Sequence, residues 1–117
     1  MAYVDGFLIP VPRDRIDDYK EQARLGEQVW REYGALDYVE CIGDDVPYGE
    51  VTSFPRAVQA KEDEIVIFSW IVYKSREHRD EVNAKVMADP RMQVDMSKSP
   101  FDGRRLIFGG FQPYLGL

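Results

Sequence analysis

Apolar residues recur along this chain at two spacings, every second residue in some stretches and every third or fourth in others. That switching marks alternating strands and helices. Residues 2–9 (AYVDGFLI) read as a strand, with Val4, Gly6 and Leu8 on one face and Tyr3, Asp5, Phe7 and Ile9 on the other. Pro10 and Pro12 are expected to end it, since neither donates to a ladder. Over residues 13–33, Ile16, Tyr19, Ala23, Gly26, Trp30 and Tyr33 form a helical stripe. Asp14, Asp17 and Asp18 suit the positive end of that helix, and Gly34 suits its stop. Trp30 and Tyr33 are read as core rather than as a ligand-stacking pair.

Residues 36–43 (LDYVECIG) alternate again, Val39 and Cys41 against Tyr38, Glu40 and Ile42. Residues 44–63 form a long connection, in which Ser53 and Pro55 predict a short helix near 54–60. Residues 64–74 (EIVIFSWIVYK) are apolar on both faces, Ile65, Ile67, Ser69 and Ile71 against Val66, Phe68, Trp70 and Val72. Such a strand is central and buried on both sides. Ser75 caps a helix over 76–89 that carries Val82, Val86 and Met87, and Pro90 ends it. A further short turn is expected within 91–97. Residues 104–112 (RRLIFGGFQ) read as the last strand, where Gly109 and Gly110 predict a bulge or a close approach.

The order β-α-β-β-α-β is the ferredoxin-like split pattern. It predicts one α+β domain over residues 1–117, a four-stranded antiparallel sheet with two helices on one face. The other face would lie open. Tyr3, Phe7, Phe68 and Trp70 are assigned to that side. Burying one such side chain stabilises by roughly 1.5–3 kcal/mol, and an exposed aromatic patch is unusual for a monomer. A second copy laid sheet to sheet is therefore expected, giving a homodimer.

Charge narrows the partners. The 15 Lys and Arg are interleaved with 21 Asp and Glu, for a net charge of −6. No basic stripe is available for phosphates or for an anionic membrane surface. One cysteine, Cys41, forms no internal disulfide, which suits a reducing compartment. The N-terminus lacks a signal-peptide pattern, and no apolar run approaches the roughly 18 residues needed to span a bilayer. A cytoplasmic protein is expected, with neither nucleic acid nor membrane as partner.

Two carboxylates stand out as catalytic candidates, Asp5 and Glu40, each on a largely apolar strand. In an apolar cavity either would have a raised pKa and could accept or donate a proton. The plainer alternatives are a charge reaching solvent, or, for Asp5, a partner for Arg104 or Arg105. Tyr3, Phe7, Phe68, Trp70 and Phe108 would wall a site for a small hydrophobic or aromatic ligand, or else form dimer core. The 44–63 connection would close its mouth. Cys41 is read as a small buried hydrophobe. His78 is the only histidine, so no multi-histidine metal site forms within a chain. No cofactor motif is present, and no cofactor is expected.

Seven segments carry a resemblance over nearly the whole length: 3-YVDGF-7, 34-GAL-36, 39-VEC-41, 45-DVPYGEVTSF-54, 68-FSWIVYKS-75, 89-DPRM-92 and 100-PFDGRRLIFGGF-111. In these the chain resembles the YbaA-like bacterial proteins, domain of unknown function 1428. That family is similar to the dimeric α/β barrel superfamily, which implies a homodimer whose sheets enclose a cavity. The superfamily includes cofactor-free monooxygenases, isomerases and haem-degrading enzymes. The last kind places a Trp and a haem-binding His where this chain has Val82 and Met92. The resemblance therefore implies a cofactor-independent oxygenase or isomerase, a small-molecule binder, or a non-catalytic protein with a filled cavity.

Overall fold

The computed structural model describes residues 1–93 and 95–117, leaving the side chain of Met96 aside. In chain order the elements are β1 (Tyr3–Pro12), α1 (Ile16–Glu32), β2 (Asp37–Ile42), α2 (Phe54–Ala57), β3 (Glu64–Tyr73), α3 (Arg76–Ala88) and β4 (Ile107–Phe111). Short 3₁₀ turns occupy Arg13–Arg15, Pro90–Met92 and Met96–Lys98. The turn expected within 91–97 thus falls on both sides of Val94, which lies outside the described residues. The strands form one sheet, in the order β2-β3-β1-β4, with every neighbouring pair antiparallel. This is an α+β architecture compatible with the ferredoxin-like pattern. Among the described residues no helix is long and apolar enough to cross a membrane.

β1 runs through both prolines that were expected to end it. It pairs with β3 from Tyr3↔Tyr73 to Pro12↔Glu64, but with β4 only over residues 4–8. Arg13 donates its N–H toward the β3 side, to Asp63 O at 2.8 Å. Residues of the other parity, Pro10 and Pro12, therefore face the side that β4 has vacated. A missing N–H costs nothing there. β4 is shorter than expected because Asp102 holds a turn, accepting from the Arg104 N–H at 3.0 Å. Its register with β1 is continuous, so the glycine pair makes no bulge. Gly110 instead serves a close approach, since a Cβ there would strike the Tyr3 hydroxyl.

Local signals act where the sequence places them. Ser53 Oγ accepts from the Arg56 N–H at 3.2 Å and Ser75 Oγ from the His78 N–H at 3.1 Å, each starting a helix. Gly34 takes φ 115° directly after the C-cap of α1. α2 is shorter than predicted, closing at Ala57.

Both long helices lie on the face of the sheet that carries Ile9, Ile67, Ile71 and Tyr73. Val29, Val82 and Val86 pack on Ile71 and Tyr73, and Tyr19 packs on Ile9, Val11 and Ile67. Val29, fully buried, lies beside the expected stripe rather than in it. Tyr33 packs against the core with its ring, as expected, and donates its hydroxyl to Asp89 Oδ2 at 2.7 Å. Asp89 also takes the Arg91 N–H, and Arg91 bridges to Glu32 at 2.7 Å. That clasp ties the end of α1 to the end of α3 and leaves Met92 packed on the core.

A second clasp anchors the segment before β4. Arg105 is bidentate on the buried carboxylate of Glu64, at 2.6 and 2.7 Å, and donates to Gln59 O at 2.9 Å. The Arg105 guanidinium holds the Glu64 carboxyl below its usual range. Replacing Arg105 with Leu leaves that carboxylate buried without its cation, at a cost of about 3 kcal/mol. Urea denaturation at neutral pH measures this loss. Adding Glu64→Gln to Arg105→Leu is expected to recover part of it, and no recovery would contradict the assignment.

Candidate functional site

Alternation along β2 turns Tyr38, Glu40 and Ile42 toward the helices. Glu40 lies opposite Ser69, and Tyr38 opposite Ile71. α1 crosses above them. From it Tyr19 donates its hydroxyl to Glu40 Oε1 at 2.6 Å, and from β2 itself Tyr38 donates to Oε2 at 2.9 Å. Each carboxylate oxygen is thus held by one phenol. Burial pushes the Glu40 carboxyl above its usual range, and the two phenolic hydrogen bonds pull the other way. Burial and the neighbouring carboxylate push both tyrosines well above the ordinary phenol value, so they stay protonated donors.

The clasp separates two cavities. On its inner side lies a chamber of about 160 Å³ between helices and sheet, walled by Phe7, Trp30, Ile71, Met92 and Phe101. On its outer side lies a cavity of about 290 Å³ beside Lys20, Arg24 and Glu27. Tyr19, Tyr38, Glu40 and Ala23 line both. Phe101 stands edge-on to Tyr19 with ring centres 5.8 Å apart, and Trp30 lies 6.0 Å from Tyr38. Trp30 is fixed in turn by its Nε1 donating to Asn83 Oδ1 at 3.1 Å, an oxygen that also accepts from Tyr73. A carboxylate so placed has an apolar chamber on one side and charged surface on the other. It can exchange a proton with a molecule in the chamber.

The other nominated carboxylate is elsewhere. Asp5 is 3% exposed, beneath α3, and lines neither cavity. Its partner is Arg79 rather than Arg104 or Arg105, with Oδ1 to Nε at 3.6 Å. Neither of those two atoms has a hydrogen-bond partner. Burial raises the Asp5 carboxyl, against the opposing pull of Arg79. Arg79 also donates to the Tyr3 hydroxyl at 3.2 Å and stacks over that ring.

The register places the expected aromatics on two faces of the sheet, and Tyr3 alone stands apart from the concavity that the others line. Phe7 pairs with Ser69 and Leu8 with Phe68, so Tyr3 and Phe7 face the helices while Phe68 and Trp70 face away. The single-sided set of Tyr3, Phe7, Phe68 and Trp70 is therefore corrected. Phe108 sits opposite Phe7, 6.1 Å between ring centres, at an uncovered edge. The outward face bears an apolar concavity of about 610 Å³ whose lining gathers four of the five nominated aromatics, Phe7, Phe68, Trp70 and Phe108, with Leu8 and Phe111. Phe54, from the long connection, stands edge-on to Phe68 at 5.9 Å, so this connection borders the outward face rather than the chamber. Cys41 is exposed, not buried, because β2 is an edge strand. His78 is structural: its Nδ1 accepts from the Lys74 N–H at 3.0 Å.

Sequence reasoning nominated Glu40 but missed Tyr19 and Tyr38 as its partners. One signal was available, because a core-facing tyrosine usually needs a partner for its hydroxyl. The match with known proteins is extensive. A family model described as "Protein of unknown function (DUF1428)" covers residues 2–103. The chain belongs to this family. It is also 52% identical over 112 residues to the uncharacterized protein YbaA of Escherichia coli K12, spanning 96% of each chain, and equally to that of Shigella flexneri. Among the described residues of this DUF1428 chain, no three His, Cys, Asp or Glu side chains gather as a metal site would require.

Because the fold favours the protonated form of Glu40, ionisation of that group works against folding. The stability it contributes is present below the unfolded pKa and is lost as pH rises through the raised folded value. Glu40→Gln cannot ionise, so its stability relative to wild type is expected to improve between pH 4 and pH 8. Urea midpoints at the two pH values measure this, and an unchanged difference would contradict it.

Proposed function

We propose that this DUF1428 protein is a homodimeric small-molecule-binding protein whose ligand occupies the chamber beneath α1, where Glu40 exchanges a proton with it. The observation that carries the reading is the Glu40 carboxylate, held by two phenols at the wall of an aromatic-lined cavity. The chamber resembles in volume a cavity of about 150 Å³ that accepts benzene, so a small hydrophobic or aromatic molecule fits it. The chemistry that follows most directly is of isomerase type. Glu40 takes a proton from one atom of the ligand and returns it to another, with no net oxidation. Asp5 has no part in this reading, and Phe7 keeps a place in the wall.

The second copy is proposed on the outward face. Phe68 and Phe111 are 44% and 64% exposed there, among Val4, Leu8, Trp70 and Ile107, with no charged side chain lining the concavity. Two such faces laid together across a twofold axis would cover each other's exposed aromatics. That arrangement is the dimeric α/β barrel implied by the resemblance. Phe68→Asp places a charge at the centre of the contact. Sedimentation of that variant is expected to show a lone subunit where wild type shows a dimer. A wild-type chain that stays single at micromolar concentration would refute the pairing.

The competing reading is structural, since both Glu40 oxygens already carry a hydrogen bond. Phenol and toluene separate the two. In a Trp70→Phe background, Trp30 is the only tryptophan and reports on the chamber. Both probes are expected to change its fluorescence saturably. Glu40→Gln is expected to weaken phenol about tenfold, equivalent to about 1.4 kcal/mol, and to leave toluene unchanged. No saturable response from either probe would mean a filled cavity and would refute the reading.

A further inference from the structure

α1 contains a glycine where a helix gains nothing from one. Gly26 lies in the interior of the 17-residue Ile16–Glu32 helix, with ordinary helical backbone and a buried position. Glycine in a helix interior costs roughly 1 kcal/mol relative to alanine, and no turn or positive φ requires it here. What the position lacks is room. A Cβ on Gly26 would lie 2.8 Å from the Tyr38 hydroxyl and 3.6 Å from the ring carbon that bears it. The helix backbone and the phenol are therefore in contact through the gap that the missing side chain leaves.

Tyr38 has little freedom to retreat from such a contact. Its ring is held against Trp30, at 6.0 Å between centres, and its hydroxyl is committed to Glu40 Oε2 at 2.9 Å. Trp30 is itself pinned by Asn83 and lies 3.7 Å from the same Cβ position. A methyl group at residue 26 would press on the hydroxyl that holds the carboxylate.

We infer that Gly26 is a positioning residue for the candidate site: the absent side chain leaves room for the Tyr38 hydroxyl to hold Glu40 along β2 while α1 passes close enough for Tyr19 to hold it from the other side. The inference rests on the proposed role of Glu40 for its functional meaning, but its geometry stands apart from any ligand. Gly26 also lines the chamber, so the same gap sets part of its width.

A double-mutant cycle tests it without knowledge of the ligand. Gly26→Ala in the wild-type chain is expected to lower the thermal midpoint despite the better helix former. Gly26→Ala in a Tyr38→Phe background, where the hydroxyl is gone, is expected to raise it. The change of sign is the signature of that one contact, since helix propensity alone moves both backgrounds upward. A second readout follows the carboxylate itself. Carbon-13 NMR of the Glu40 side chain is expected to titrate at higher pH in Gly26→Ala than in wild type, as it loses a hydrogen bond that favours its charged form.

Destabilisation in both backgrounds, or an unmoved Glu40 titration, would overturn the inference. These outcomes are independent of phenol binding. A sign change without any probe response would leave Gly26 positioning a structural clasp and would refute only the functional reading. A probe response with no sign change would do the reverse.

Discussion

The ladder between β1 and β3 decides what each face of the molecule can be. Ten paired positions fix the two strands against each other, and side chains alternate strictly along both. Phe7 is therefore committed to the helix side with Ser69, and Leu8 to the outward side with Phe68. A slip of one residue would exchange the two sets. Everything else is arranged around that division. β2 extends it, turning Tyr38 and Glu40 inward and Val39 and Cys41 outward. β4 extends it on the other edge, with Ile107 and Phe111 outward.

The two faces are consequently different in chemistry. The inner one holds Asp5 and Glu40, and the two are managed differently. Asp5 is set against Arg79 with one oxygen left without a hydrogen bond, and Glu40 is satisfied at both oxygens by neutral phenols. An ion pair beneath a helix and away from the cavities is architecture. A neutral-donor clasp at a cavity wall leaves the carboxylate free to change its protonation without breaking a salt bridge. That distinction, more than the presence of a carboxylate on a strand, separates Glu40 from Asp5 as a candidate for chemistry.

Much of the fold was legible because alternation and capping are local. Ser53, Ser75 and Gly34 mark their helix ends through hydrogen bonds or backbone angles within a few residues. The two apolar faces of β3 were plain in its composition. What was not legible depended on pairing. Pro10 and Pro12 read as terminators until the extent of β4 showed which edge they face. Tyr3, Phe7, Phe68 and Trp70 could be placed on alternating faces of their own strands, but which faces coincide is a matter of register. The partners of Glu40 were harder still. Tyr19 is on a helix 21 residues away, and only the crossing of α1 over β2 brings them together.

The central claim is that the two faces divide the work, a ligand on the helix side and the second copy on the outward side. Methyl-labelled protein mixed with phenol tests it most directly, through intermolecular nuclear Overhauser contacts. The account predicts contacts from the phenol ring to Ile71, Met92 and Ile9, and none to Leu8, Ile107 or Val4. Contacts confined to Leu8, Ile107 and Val4 would place the ligand on the outward face and contradict it.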